Sequence, residues 1–158
     1  MGLTPTLLIQ PQTTVVQTSA TSVTVVTVAE QGPAGPAGPA GGSVAVQGYV
    51  ATVTVSAYLA VAAIAGGIAL GDSAQAALAG AIVGIATAGT AAGSSCPVQY
   101  AGELTYNGWT WVMGKPIFVG AGGVLTQTPP ATGFLQSVGT PTSATSLFIN
   151  LQPAILIA

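Results

Sequence analysis

The sequence predicts an all-β protein that works as a trimer: an N-terminal extended β-arm (1-31), a short collagen-like stalk (32-42) and a C-terminal small β-barrel or β-sandwich (43-158). Three observations predict it. Residues 32 to 41 repeat glycine with a period of three, a Thr/Val-rich stretch without charge precedes them, and many short β-prone runs punctuated by Gly and Pro follow.

The arm comes first. Thr13 to Ala29 reads TTVVQTSATSVTVVTVA, in which β-branched side chains favour a pleated backbone. Val15 and Val16 fall in its first half, and Val23, Val25, Val26 and Val28 in its second. So short a segment has no room for a core of its own. It is an unprotected strand edge, suited to docking by β-addition to another protein surface. The alternative is a swapped or packed strand pair that serves only the trimer.

The stalk follows. Gly32, Gly35, Gly38 and Gly41 alternate with Pro33, Pro36 and Pro39 in Gly-Pro-Ala triplets. Where three polyproline II strands wind together, only glycine fits at the crowded axis, and proline pre-sets the backbone of each strand. At about 3.1 Å per residue the segment spans roughly 30 Å. Three triplets lose too much chain entropy to hold a triple helix unaided, so flanking segments must bring the chains together. A semi-rigid Pro/Gly linker on a monomer is the plainer alternative.

Residues 43 to 158 are long enough for one domain with its own core. Tyr49–Ser56, Ala81–Thr87, Cys96–Leu104, Trp109–Met113, Pro116–Gly120, Gly133–Gly139 and Thr145–Leu151 read as short strands. Asn107-Gly108 is a hairpin signal, and Gly71-Asp72-Ser73, Gly120 to Gly123 and Thr128-Pro129-Pro130 supply further turns. One or two helical turns are expected at Ser73 to Leu78, capped by Asp72 or Ser73. The closing LQPAILIA is open between a core-closing strand and an intersubunit seam.

Charge narrows the function classes. The chain has one lysine, no arginine or histidine, and three acids, Glu30, Asp72 and Glu103, beside 22 glycines and a half-apolar composition. An ordinary domain is about a quarter charged; a chain this neutral has little repulsion against self-association, and its expected state is assembled. Lys115 alone gives no footprint for nucleic acid. Ala57–Leu70 is too short for a membrane-crossing helix, and Ala76–Ala92 is diluted by glycine and threonine. No basic residue flanks either one, so no membrane insertion is expected. MGLTPTLLIQPQ lacks the basic start of a secretory signal, and the chain is expected to stay inside the cell when made.

An enzyme is not expected. Without histidine, neither a Ser-His-Asp nor a Cys-His arrangement exists within the chain, and Cys96, the only cysteine, makes no thiolate cluster. Asp72 with Glu103 is the remaining carboxylate pair, but each has a simpler reading: Asp72 as a turn residue, and Glu103 as a solvated or Lys115-paired side chain. Gly120 to Gly123 lacks the Lys-Ser/Thr of a phosphate loop. No cofactor and no metal are expected. Trp109 and Trp111, spaced by two on an expected strand, with Tyr106 beside them, are either a core or intersubunit anchor or a platform for a ligand.

Gly102-Glu-Leu-Thr105, Asn107-Gly-Trp-Thr-Trp111, Lys115-Pro-Ile-Phe-Val-Gly120, Gly123-Val-Leu-Thr-Gln-Thr-Pro-Pro130 and Gly133-Phe-Leu-Gln-Ser-Val-Gly139 together resemble a small β-domain of tailed-bacteriophage virion proteins, over roughly residues 80 to 158. The order of arm, stalk and head also resembles collagen-bearing head auxiliary proteins. The resemblance implies a structural virion protein, a capsid decoration or head-fibre homotrimer. It would be anchored by its arm to the major capsid protein or another virion protein, assembled in the host cytoplasm and placed on the particle surface. The alternative is a tail fibre or receptor-binding protein that contacts the host through Tyr106, Trp109 and Trp111. The stalk is shorter than in many fibres, and no receptor-binding tip is recognisable.

Overall fold

The computed structural model describes residues 14–19, 22–27 and 44–157. The chain divides into two compact units within the Gly-Pro-Ala repeat, between Gly38 and Pro39. In the first unit, β1 (Thr14–Ser19) and β2 (Ser22–Thr27) pair antiparallel in unbroken register from Thr14↔Thr27 to Ser19↔Ser22.

The second unit is all-β. Its strands are β3 (Ala45–Val50), β4 (Ala60–Ile64), β5 (Gly67–Leu70), β6 (Ile82–Ala86), β7 (Ser95–Thr105), β8 (Ile117–Val119), β9 (Leu125–Thr126), β10 (Gly133–Leu135), β11 (Ser137–Pro141), β12 (Ser146–Ile149) and β13 (Ile155–Ile157). Nine of them form one sheet in the order β5-β4-β6-β7-β12-β11-β8-β9, with β3 also pairing with β7. The sheet curls into a half-barrel. β10 and β13 make a separate antiparallel pair.

Two apolar clusters fill this unit, and alternation along the strands assigns residues to them. Ala60 and Ala62 of β4 and Ile85 of β6 enter one cluster with Ile117, Val119, Phe134, Val138, Leu147 and Ile149. Their neighbours Val61 and Ala86 enter the other, with Ala51, Val55, Ile68, Cys96 and Val98. β4 is therefore buried on both faces. β7 feeds Cys96 and Val98 to the second cluster but Leu104 to the first, and Gly102 stands between them with φ of 88°, a backbone conformation that glycine adopts without strain.

The structure adds detail to some of the sequence expectations and corrects others. The Ala57–Leu70 stretch contains a β-hairpin, β4 to β5, turned at Ala65-Gly66, with Ile64 opposite Gly67. No helix among the described residues is long and apolar enough to cross a membrane. The alternating run Tyr49–Ser56 is a strand only to Val50; beyond it the chain makes isolated bridges, Ala51↔Ile68 and Val55↔Thr90. Trp109–Met113 is not a strand. Its backbone groups are taken one at a time: Trp111 N–H donates to the Ala144 carbonyl at 2.7 Å, and Gln127 occupies both polar groups of Val112. Asn107-Gly108 does form a turn, closed by Trp109 N–H donating to the Tyr106 carbonyl at 3.1 Å. The strand before it pairs with β12, however, and not with the segment after it.

The expected helical turn is a single 3-10 turn, Ala76–Leu78, and Gln75 at its start makes no side-chain cap. Asp72 acts one step earlier, accepting from Ala74 N–H at 3.0 Å and from the Gln75 amide at 3.2 Å. At the C-terminus, β13 pairs with β10 while Ile155 and Leu156 remain 62% and 65% exposed, so those two side chains do not close the core.

Candidate functional site

The densest grouping of chemistry-bearing side chains in the second unit is aromatic. The turn after β7 carries Tyr106, Trp109 and Trp111, and the segment before β4 brings Tyr58 to them. Tyr58 and Tyr106 stack with ring centroids 4.1 Å apart and planes at 17°. Trp109 stands edge-on to both, at 5.7 Å from Tyr58 and 5.5 Å from Tyr106. Trp111 lies 5.3 Å from Trp109. Offset stacks and edge contacts of this kind match the positive rim of one ring to the negative face of another, worth about 0.5–1.5 kcal/mol per pair beyond burial.

Backbone geometry sets the cluster in place. Tyr58 has φ of 64°, the one positive value at a non-glycine residue among those described. For a bulky side chain that is a costly conformation. It is held by Tyr58 N–H donating to the Ala86 carbonyl at 2.7 Å and by the ring stack. Gly108 lies beneath Tyr106, where a Cβ would meet the tyrosine ring and push it from its present place. Tyr58, Trp109 and Trp111 are half-buried against the Phe134-containing core, whereas Tyr106 is 40% exposed. Trp111 Nε1 is buried with no hydrogen-bond partner among the described residues.

The three sequence-predicted aromatics thus come together, but in a loop and not on one face of a strand. Tyr58 was missing from that expectation. It lies in an apolar stretch far from Tyr106 along the chain, and no local pattern links the two.

The charged groups are dispersed. The Glu103 carboxylate accepts a hydrogen bond from the Thr142 hydroxyl at 2.6 Å, and Asp72 is engaged in its own turn. The hydrogen bond from the Ala74 N–H holds the Asp72 carboxyl below its ordinary value; burial opposes it, and the Gln75 amide and the Gly122 N–H add lesser hydrogen bonds in the lowering direction. No group of three or more His, Cys, Asp or Glu side chains gathers among the described residues. Cys96 is a free, buried thiol. A cavity of about 260 Å³ lies between Ser73-Ala74, Gly120-Ala121 and the Thr126 to Thr132 loop, and no charged side chain lines it.

In the β1–β2 pair, Val15 stands opposite Val26, Val16 opposite Val25 and Thr18 opposite Val23. Val28 and the stalk glycines Gly32, Gly35, Gly38 and Gly41 lie outside the described residues. Comparison of the chain with protein-family models, curated proteins and solved structures finds no match.

Proposed function

We propose that this chain is a structural virion protein: a homotrimeric capsid decoration or head-fibre protein, anchored to the particle by its N-terminal arm. One observation carries the reading. A glycine-every-third-residue repeat separates a strand-forming, uncharged segment from an all-β domain, and each part suits one task in such a trimer. The β1–β2 pair is a two-stranded ribbon, too small to be stable alone in water and therefore suited to a partner surface. The repeat favours three chains over one. The charge-poor composition favours an assembled state.

The mechanism is binding alone. After one arm of a trimer docks, the other two are held at high effective concentration, so weak single contacts sum to lasting attachment. A second reading, a tail fibre or receptor-binding protein, is favoured by the Tyr58–Tyr106 stack with Trp109, since a partly exposed aromatic group suits contact with a host surface. Copy number separates the two. A decoration protein is present at a copy number that scales with the capsomers, whereas a count by quantitative gel near the number of tail appendages would defeat the decoration reading.

A further inference from the structure

The strand that follows the repeat exposes a row of valines with no cover in the described structure. In β3 and the residue before it, Val44 is 58% exposed, Val46 50% and Val50 52%, and all three stand at even positions, with Gly48 between them. The opposite face carries Tyr49, which packs on the Cys96–Val98 cluster. Across the ladder, Val46 faces Gln99, Gly48 faces Pro97 and Val50 faces Ser95, so the even face has no charged side chain at these positions. Over Ala45–Val50, β7 is the single strand neighbour of β3 among the described residues.

Chain length says what covers this row. Gly41, the last glycine of the repeat, is three residues before Val44. Three residues reach at most about 10 Å, and a triple helix holds its three strands around one crowded axis. The three copies of Val44 must then emerge within a short reach of that axis, each starting a strand roughly 20 Å long. We propose that the even face of β3, formed by Val44, Val46 and Val50, is the seam through which three copies of this domain pack against one another around the axis of the Gly-Pro-Ala repeat. β13 also exposes apolar side chains at Ile155 and Leu156, but no comparable tether brings its copies together. The seam supplies the flanking association that three triplets need, and it rests on the trimeric reading proposed above.

The test uses the full-length chain. Light scattering after size exclusion gives the mass of the wild type and of the Val46→Asp/Val50→Asp double variant, with far-ultraviolet circular dichroism to check the fold. The seam requires a wild-type mass of three chains and a variant mass of one chain with its β-signal retained. A second variant, Val46→Cys, is oxidised and run on a non-reducing gel, where a reducible covalent dimer is expected and an Ala131→Cys control stays single; Cys96 is buried and does not compete. If the double variant does not fold, the Val46→Cys cross-link decides. A trimeric wild type whose folded double variant stays trimeric, or whose Val46→Cys form gives no dimer, overturns the seam and leaves the trimer standing. A monomeric wild type overturns both.

Discussion

Gly133 begins β10 with φ of 79°, and a Cβ at that position would fall inside the van der Waals shell of the Ser73 carbonyl. That carbonyl accepts the Phe134 N–H at 3.0 Å, so the close approach is part of what seats Phe134, the largest fully buried side chain. Alanine at 133 adds a left-handed backbone penalty to a clash with a backbone carbonyl that is engaged in a hydrogen bond, not with a side chain that could swing away. Gly133→Ala should destabilise the domain by about 2–4 kcal/mol, a large share of a typical domain's stability. Urea unfolding followed by tryptophan fluorescence measures it. A midpoint within error of the wild type would mean that the Ser73–Phe134 approach is not fixed in solution.

Between β7 and β8 the chain has no strand partner, and a side chain takes over the work of a ladder. Gln127 Oε1 accepts from Val112 N–H at 2.9 Å, while Nε2 donates to the carbonyls of Val112 and Lys115 at 2.8 and 3.0 Å. These exposed bonds are each modest in net effect, so Gln127→Ala should cost about 1–2 kcal/mol in total. It should also alter Trp111 fluorescence, because the loop that carries the indole is released. Gln127→Glu keeps the acceptor and loses both donors, and its effect should approach that of alanine. Unchanged fluorescence and an unchanged midpoint in both variants would show that the loop is held elsewhere. The Asp72 turn gives a pH-dependent counterpart. Since the folded carboxyl sits below its ordinary value of 3.8, its contribution is fully present above that value and is lost as pH falls through the lower, folded one. The stability difference between wild type and Asp72→Ala should therefore be constant from neutral pH to about pH 5 and shrink below 3.8. A constant difference down to acid unfolding would assign the turn's stability to something other than the carboxylate.

The same elements show what a reader of the sequence can and cannot see. β6, β7, β8 and β12 were legible as short β-prone runs set between turn-forming segments. The β4–β5 hairpin was not, because Ala60, Val61 and Ala62 are all buried; burial on both faces erases the alternation that marks a strand. Trp109–Met113 misled for the opposite reason. Its pattern fits a strand, but its backbone bonds go to Gln127 and Ala144, partners that no local window contains. The aromatic site was three-quarters visible, and the Tyr58 contribution depended on tertiary placement and on a strained φ that composition does not signal.

For the whole molecule, the sparse charge sets the physics of any attachment. With one lysine and three acids in 158 residues, the arm cannot be held to a partner by a set of ion pairs; between Thr13 and Ala29 it has no charged side chain at all. On the proposed function, docking must come from backbone pairing along β1 or β2 and from burial of apolar side chains. Neither is screened by salt in the way that exposed ion pairs are, for which the Debye length falls to about 3 Å at 1 M. Particles washed from about 0.05 M to about 1 M sodium chloride should thus retain the protein. A chain lacking residues 1–31 should behave differently: its all-β unit keeps both apolar clusters and should fold, yet it should not bind particles stripped of the protein. Release by salt would put the attachment on charged groups and overturn the uncharged-arm mechanism. Binding by the armless chain would move the docking surface to the β-domain, where the stacked tyrosines and Trp109 would be the first place to look.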